Sequence, residues 1–242
     1  MASTSVFVEN AANEVANEAV FAGDEKANEL LASARRHIYH WPRFFEGFTA
    51  DLTFTMDGQV YQGHFRASES RRIEVKWEQE FDNRWMRFQL EELLSHREAP
   101  ERSKIASKTG CEMGDYDPIY GQKIIFVGDK MGSFYRIRDE KIMQIGRSYG
   151  NTTFIINIDS HHNFGTPGRP AYAAADYTAF YWAKDSGRLT KTETYRDAYE
   201  MIGGIALPAE RRVSIAQDLS QESLSIRQLK FRNFELLTSP SI

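Results

Sequence analysis

Residues 159–162 have the sequence Asp-Ser-His-His and stand between an apolar segment and a turn rich in glycine and proline. Histidine and aspartate side chains bind zinc and transfer protons near neutral pH. Because alternate residues of a strand share a face, only Asp159 and His161 can act together in an extended chain. A catalytic zinc needs a third protein ligand, for which His64 is the candidate. The pattern predicts a metal-assisted site, a solvated loop or a loop that gates a ligand.

An arginine pair is a second candidate for binding chemistry. Arg136 and Arg138 are two residues apart, so in a strand they share one face, opposite Tyr135 and Ile137. Two guanidinium groups on one face can hold a carboxylate or phosphate headgroup through paired hydrogen bonds. The alternative is a solvated face whose arginines contact neighbouring strands. The sequence leaves both interpretations open.

A third candidate combines His37 and His40 with the aromatic residues Trp41, Phe44 and Phe45. Histidines at the end of a helix interact favourably with the negative end of its dipole. The aromatic side chains would alternatively form a lid over a hydrophobic ligand, or a patch that dips into a membrane surface. Both roles are compatible with the sequence.

Helical patterns precede these elements in the chain. Residues 1–23 are alanine-rich and predict an N-terminal helical arm. Asp24 is a suitable N-cap for the next helix, with Glu25 in its first turn, and Pro42 marks the end of this helical region. The apolar positions that recur at helical spacing are Ala27, Leu30, Leu31, Ala34 and Ile38. We therefore predict a single domain over residues 24–242, preceded by the arm.

The pattern then changes to a period of two over residues 48–56, with apolar side chains on one face and mostly polar ones on the other. Asp57-Gly58 predicts a type I′ hairpin turn, since both central positions of that turn need a positive φ. Another strand lies near residues 71–77, and an inserted amphipathic helix follows near residues 79–97. We expect the polar residues 97–118 to form a mobile connection.

After Pro118 the chain carries repeated strand patterns separated by tight turns. Such a meander predicts antiparallel pairing, with about ten strands in the whole chain. Because each strand twists, a sheet of this length curls into a half-barrel or a barrel. We therefore predict an α+β fold, mainly antiparallel β, with the N-terminal and inserted amphipathic helices covering the concave face of a strongly curved sheet.

The space between these helices and the sheet is suited to an apolar ligand, because such clefts are commonly lined by apolar and aromatic side chains. The predicted ligand-binding residues are Trp41, Phe45, Phe54, Phe65, Trp77, Trp85 and Phe88, together with Arg136 and Arg138. Alternatively, the aromatic side chains fill a closely packed interior and leave no cavity.

Composition limits the classes of function. A net charge of -4 and a pI of about 5.9 argue against binding to a nucleic-acid backbone. Cys111 is the only cysteine, which excludes an internal disulfide and a cysteine-based zinc cluster. No segment approaches about 20 apolar residues, and the amino-terminal segment lacks a secretory pattern. We therefore expect a cytoplasmic protein, or one of the plastid stroma in a eukaryote, without a transmembrane segment.

Common enzyme motifs do not occur in the sequence, which has no GxSxG, P-loop, Rossmann glycine pattern or HExxH. Glu91 and Glu92 are predicted to be helix-surface carboxylates, and Gly203-Gly204 a bend between strands. Cys111 has no base beside it that the sequence identifies. The sequence favours a non-enzymatic protein without a cofactor.

Four blocks of the chain resemble a family of uncharacterised proteins from cyanobacteria and plastids: MRFQLEELLSHRE, GSFYRIRDEKIMQIGRSYGNTTFIINI, YRDAYEMIGGIALPAERR and LKFRNFELL. The likeness spans residues 25–237. It implies a photosynthetic host and a soluble location, and it supplies no catalytic residue. The strand-rich layout with an N-terminal helix is also similar to the lipoprotein-carrier and lipoprotein-receptor half-barrels, which shield acyl chains.

Three hypotheses for the function follow. The first is a non-enzymatic binding or carrier protein for a lipid or pigment-like apolar ligand, a role compatible with peripheral membrane contact. The second is an assembly or scaffold factor that binds a protein partner through residues 1–23 or through exposed strand edges. The third is a metal-assisted hydrolase centred on Asp159 and His161.

Overall fold

The computed structural model describes residues 23–68, 72–98, 110–217 and 223–238. Within these ranges the chain forms two helices and fourteen strands. The helices are α1, Glu25–Arg36, and α2, Arg84–Ser95. The strands are β1 Gly47–Met56, β2 Gln59–Ser68, β3 Arg72–Trp77, β4 Cys111–Asp117, β5 Gly121–Phe126, β6 Phe134–Arg138, β7 Lys141–Tyr149, β8 Thr152–Ile158, β9 His161–Asn163, β10 Tyr172–Ala174, β11 Asp176–Ala183, β12 Leu189–Ile202, β13 Ile205–Gln217 and β14 Ser223–Leu236.

The local sequence explains both ends of α1. The Asp24 carboxylate accepts a hydrogen bond from the Lys26 backbone N–H at 2.9 Å, as the predicted N-cap should. Arg35 and Arg36 lie in the last turn, where they complement the negative end of the helix dipole. The helical arm predicted over residues 1–23 lies outside the described residues, apart from its last position.

Twelve strands form one antiparallel sheet in the order β3-β2-β1-β14-β13-β12-β11-β8-β7-β6-β5-β4, and β9 pairs with β10. The predicted antiparallel, mainly β fold is confirmed. The first described strand pairs with the last one, β14, within the sheet. This pairing joins the amino-terminal three-stranded unit β1–β3 to the rest of the sheet.

The prediction of about ten strands is wrong, because β4, β9 and β10 were not expected. β4 lies in the segment that was predicted to be a mobile polar connection, and it pairs with β5 through the register Cys111 opposite Phe126. Cys111 is buried against α1. β4 is an outer strand with mostly polar side chains, so it lacks the apolar alternation that marks an inner strand. Residues 99–109 of that segment lie outside the described residues.

The hairpin turn predicted at Asp57-Gly58 is confirmed, and Gly203-Gly204, predicted as a bend or bulge between strands, form a second hairpin turn. Asp57 and Gly58 have φ angles of 48° and 84° between β1 and β2, as a type I′ turn requires. Gly203 and Gly204 have φ angles of 57° and 82° between the long strands β12 and β13. In each pair the positive φ angles reverse the chain direction, and the glycines adopt these angles without a steric penalty.

Both helices pack on one face of the sheet. α2 contributes Met86 and Leu90 to a cluster with side chains of β1, β2, β13 and β14. α1 packs Ala27 and Leu31 against β4, β5 and β6. A third cluster, from β8, β11, β12 and β13, lies between these two in the order of strands. In the described residues no helix is long and apolar enough to cross a membrane.

The first prediction concerns the aromatic cluster beneath α2. Phe65 is 0% exposed, and its ring centroid lies 5.3 Å from that of Phe48 and 5.3 Å from that of Phe231. We expect Phe65→Ala to lower the free energy of unfolding by about 3–5 kcal/mol, because the vacated space is enclosed. Phe44 is 80% exposed, so Phe44→Ala should change it by less than about 0.5 kcal/mol. Urea denaturation measures both; equal losses would contradict the packing.

Candidate ligand-binding cavity

A cavity of about 140 Å³ lies between the helices and the sheet. The end of α1 contributes Ala34, the inner face of α2 contributes Glu92, and the β9–β10 hairpin contributes His161 and Tyr172. The sheet contributes side chains of β7, β8, β11, β12 and β13. Glu140, whose side chain is 54% exposed, marks the place where the cavity reaches solvent.

One wall of the cavity is apolar. It consists of Ile142 and Ile145 from β7 and Ile156 and Ile158 from β8, with Ala179 of β11 beside them. β7 and β8 are neighbours in the sheet, so their inward side chains form one continuous surface. Such a wall suits a hydrocarbon group.

A buried ionic network lies on β12 and β13. Arg211 is 2% exposed, and its Nε and Nη2 donate to the two carboxylate oxygens of Asp197 at 2.8 and 2.7 Å. Its remaining bonds run to the Tyr177 hydroxyl at 2.8 Å and to the Gln89 side-chain oxygen at 3.0 Å. Burial of a guanidinium costs free energy that a neutralising carboxylate and satisfied donors offset. The network therefore ties β11, β12, β13 and α2 together.

A second carboxylate lies four residues before Asp197 on the same face of β12. Glu193 accepts hydrogen bonds from the hydroxyls of Tyr181 and Tyr195 at 2.9 and 3.0 Å. The Lys191 ammonium lies 3.0 Å from its other oxygen. Burial, followed by the charge of Glu193, raises the pKa of both tyrosines well above the usual value. Both hydroxyls therefore stay protonated and act as donors.

Glu92 is a buried acid that faces the cavity, so its prediction as a helix-surface carboxylate is wrong. It is 7% exposed, and Arg211 Nη1 lies 3.7 Å from its carboxyl. Burial raises the pKa of Glu92 to about 8, assisted by Glu193 and Asp197 and opposed by Arg211. The carboxyl is therefore mainly protonated at neutral pH. Glu91, one position round the helix, is exposed as predicted.

The two adjacent histidines belong to β9 and are half-buried, which contradicts the solvated-loop interpretation. The Nε2 of His161 lies 3.2 Å from the Ile142 carbonyl oxygen, so this nitrogen carries the proton and donates. Burial lowers the pKa of His161, which keeps the ring neutral. His162 points elsewhere, with its Nε2 2.9 Å from the Asp197 carbonyl oxygen. Their opposite directions follow the predicted strand parity.

The residues suggested for a metal site do not converge. In the described ranges, no group of three or more His, Cys, Asp or Glu side chains is placed to hold a metal ion. The suggested third ligand, His64, lies on β2 and pairs with Asp51 of β1 at 3.4 Å. The Asp159 backbone N–H donates to the Asp176 carbonyl. The metal-assisted hydrolase stays a prediction that the geometry does not favour.

The aromatic residues predicted to bind a ligand lie in a different part of the covered face. Six of them belong to the cluster around α2, β1 and β2 or pack against it: Trp41, Phe45, Phe54, Phe65, Trp77 and Trp85. The seventh, Phe88, is half-buried on α2. The indole N–H of Trp41, for example, donates to the Ala206 carbonyl at 2.9 Å. The first six pack within this cluster, and none of the seven lines the cavity, as in the alternative of a filled interior. Their role in binding stays a prediction.

The arginine pair lies on the face of β6 opposite the buried Tyr135 and Ile137, as predicted. Arg136 Nη2 lies 2.6 Å from the Asp115 carboxylate, and Arg138 Nη1 lies 3.4 Å from the Pro118 carbonyl oxygen. Both guanidinium groups thus bind groups of the neighbouring segment. This arrangement matches the interpretation in which the arginines contact neighbouring strands, although the Arg136 side chain is only 12% exposed; ligand binding by the pair stays a prediction.

The segment after α1 is partly internal. His37 caps the helix, and burial lowers the pKa of His40 to about 4, so this ring is neutral. Trp41 is buried, whereas Phe44 is exposed. One exposed ring is too small a surface to support the predicted lid or membrane-dipping patch by itself.

The sequence interpretation missed the ionic network, although the sequence contains a signal for it. Glu193, Tyr195, Asp197 and Tyr199 share one parity in β12, and the intervening residues 194, 196 and 198 have the other. Two large aromatic side chains at one parity indicate the inward face, so the acids Glu193 and Asp197, which share that parity, are expected to be buried too. Their basic partner, Arg211, lies on β13 directly opposite Asp197.

The second prediction tests the buried pair with two neighbouring arginines of β13. Arg211→Leu should lower the free energy of unfolding by about 3–5 kcal/mol, because Asp197 is left buried without its counter-charge. Arg212 is exposed on the other face, so Arg212→Leu should cost less than about 0.5 kcal/mol. The double variant Arg211→Leu, Asp197→Leu should regain part of the loss. Chemical denaturation measures all three, and equal effects of the two single variants would contradict the assignment.

The third prediction concerns the pH dependence of stability. Between pH 4.5 and about 8, the folded chain keeps a proton on Glu92 that the unfolded chain has released. Stability from this group is therefore lost as the pH rises, by at most about 1.4 kcal/mol per pH unit. Glu92→Gln removes this contribution, so its free energy of unfolding should rise relative to that of the wild type between about pH 5 and 8. Glu91→Gln is the matched control; a pH-independent difference for Glu92→Gln would contradict the burial of an acid.

Comparison with known proteins identifies a family whose model covers most of the chain. The model of a family described as protein of unknown function, DUF3386, matches residues 22–237. No curated protein matches the chain. The predicted membership in an uncharacterised family is thereby confirmed.

Proposed function

We propose that this chain, which belongs to that family of unknown function, is a non-enzymatic binding or carrier protein for a small apolar ligand. The cavity of about 140 Å³ carries this proposal. Protein interiors are normally closely packed, and this space is roughly ten times what one water molecule needs. Its isoleucine wall offers no hydrogen bonds to water, so an apolar occupant is favoured there.

The proposal includes the curvature of the sheet. The five strands that line the cavity, from β7 through β8, β11 and β12 to β13, are successive neighbours. At about 4.8 Å per strand, the outer two of them would stand about 19 Å apart in a flat sheet. A single small cavity that both outer strands line is better accommodated by a sheet that curls around it, with α1 and α2 across the concave face.

The other hypotheses carry less support. The scaffold role was assigned partly to residues 1–23, nearly all outside the described ranges. A photosynthetic host, a plastid location and the likeness to lipoprotein carriers stay predictions.

The fourth prediction tests occupancy of the cavity. Ala179 is 2% exposed and lines it, so Ala179→Met should fill part of the space. We expect the fluorescence of 1-aminoanthracene to rise on binding to the wild type, and its affinity to fall by about tenfold or more in Ala179→Met. Ala216 lies on β13 at the outward parity, and Ala216→Met should bind the probe like the wild type. A wild type that does not bind the probe, or equal binding by all three proteins, would contradict the proposal.

A further inference from the structure

We infer that the ligand of this cavity is an uncharged molecule with a hydroxyl or carbonyl group, which hydrogen-bonds to Glu92 and His161 while its hydrocarbon part lies on the isoleucine wall. This inference rests on the proposed function and adds the chemical class of the ligand to it.

The charges of Arg211, Asp197, Lys191 and Glu193 are paired with one another. Arg211 is neutralised by the two oxygens of Asp197, and Lys191 lies 3.0 Å from Glu193. Further Arg211 bonds go to Tyr177 and to Gln89 of α2. Beside this network, a charged headgroup would find no unpaired opposite charge among the described residues of β12 and β13, and burying an unpaired charge is very unfavourable.

Two further cations, Lys141 and Arg97, line the cavity, and both contact neutral groups of the protein. Lys141 lies over the Tyr172 ring, with its ammonium 4.7 Å from the ring centroid. The Nε of Arg97 donates to the Tyr199 hydroxyl at 3.1 Å, and its Nη1 to the His96 carbonyl at 3.2 Å. An anionic ligand would contact these two cations instead of Glu92 and His161, and octanoate is the probe for that alternative.

Glu92 offers an uncharged hydrogen-bonding group instead. Its carboxyl faces the cavity, and Arg211 Nη1, at 3.7 Å, is beyond hydrogen-bond distance. A protonated carboxyl presents one O–H donor and one carbonyl acceptor. The groups around Glu92 are Arg211 of β13 and Lys191, Glu193 and Asp197 of β12, and their charges balance. A ligand hydroxyl or carbonyl can therefore accept a hydrogen bond from Glu92.

His161 adds a second anchor of complementary type. Its Nε2–H is directed to the Ile142 carbonyl oxygen, so the neutral ring keeps its lone pair on Nδ1. An alcohol can donate to this nitrogen while it accepts from Glu92, and a ketone can accept from Glu92 alone. Both side chains line the cavity together with Ile142. The site thus selects a neutral polar end joined to an apolar body.

The fifth prediction uses three ligands with the same chain length: 1-octanol, octanoate and octylammonium. Each competes with bound 1-aminoanthracene at about pH 7. We expect octanol to bind at least about tenfold more tightly than either ion, because Glu92 and His161 are uncharged at this pH and give a buried ion no counter-charge. The affinity for octanol should fall as the pH rises through about 8, where Glu92 ionises and loses its donor.

Variants of Glu92 separate the anchor from the cavity. Glu92→Leu should weaken octanol binding by about tenfold, since the hydrogen bond is lost. In Glu92→Gln, octanol affinity should no longer depend on pH between 7 and 9.5. Arg212→Leu, on the outward face, should behave as the wild type in every assay. Circular dichroism establishes that each variant is folded at each pH.

The outcomes distinguish the two proposals. If the wild type binds the probe but prefers octanoate or octylammonium to octanol, the inference about the ligand is overturned and the binding function stands. If the wild type binds neither the probe nor any of the three ligands, the proposed function fails and the inference falls with it.

Discussion

The buried pairing of Arg211 with Asp197 is the constraint on which the covered face of the sheet depends. The two residues lie directly opposite each other on β13 and β12. A shift of one strand by one position would turn its member of the pair to the opposite face and break the pair. Because the pair must stay dry and satisfied, it also requires α2 to lie above it, where Gln89 completes the bonds of the guanidinium. Strand register and helix position are therefore set by one interaction.

The covered face consists of two regions with different packing. Around α2, β1 and β2, aromatic rings interdigitate, as where Tyr61 and Phe81 stack with their centroids 4.0 Å apart. Farther along the sheet, the inward positions of β12 hold charged and hydroxyl groups that join Arg211 of β13, and their hydrogen bonds fix their directions. Such groups cannot turn toward the isoleucines of β7 and β8 without leaving their partners unsatisfied. The space between the polar network and the apolar wall stays open for that reason.

Local patterns in the sequence were sufficient for much of the fold and for little of the site. The N-cap at Asp24 and the turn at Asp57-Gly58 depend on residues adjacent in the chain, and both were predicted correctly. The contact of Arg211 with Gln89 joins residues 122 positions apart, so no local pattern reveals it. The aromatic residues are predicted to bind a ligand because large apolar rings commonly line ligand sites. In this fold the same rings fill the interior, and the cavity is lined by isoleucine, tyrosine and paired charges.

The sheet has two outer strands, β3 and β4, and their exposed edges have a consequence for solubility. An outer strand presents unpaired backbone groups that can recruit another chain, and natural proteins protect such edges with charges, bulges or covering segments. β3 directs the exposed side chains of Arg72, Glu74 and Lys76 outward. β4 carries an irregularity in register between Met113 and Tyr116, and its first carbonyl, that of Cys111, accepts the Asp24 N–H at the start of α1. Each edge thus has features that oppose edge-to-edge aggregation, which allows a twelve-stranded sheet to remain open without closing on itself.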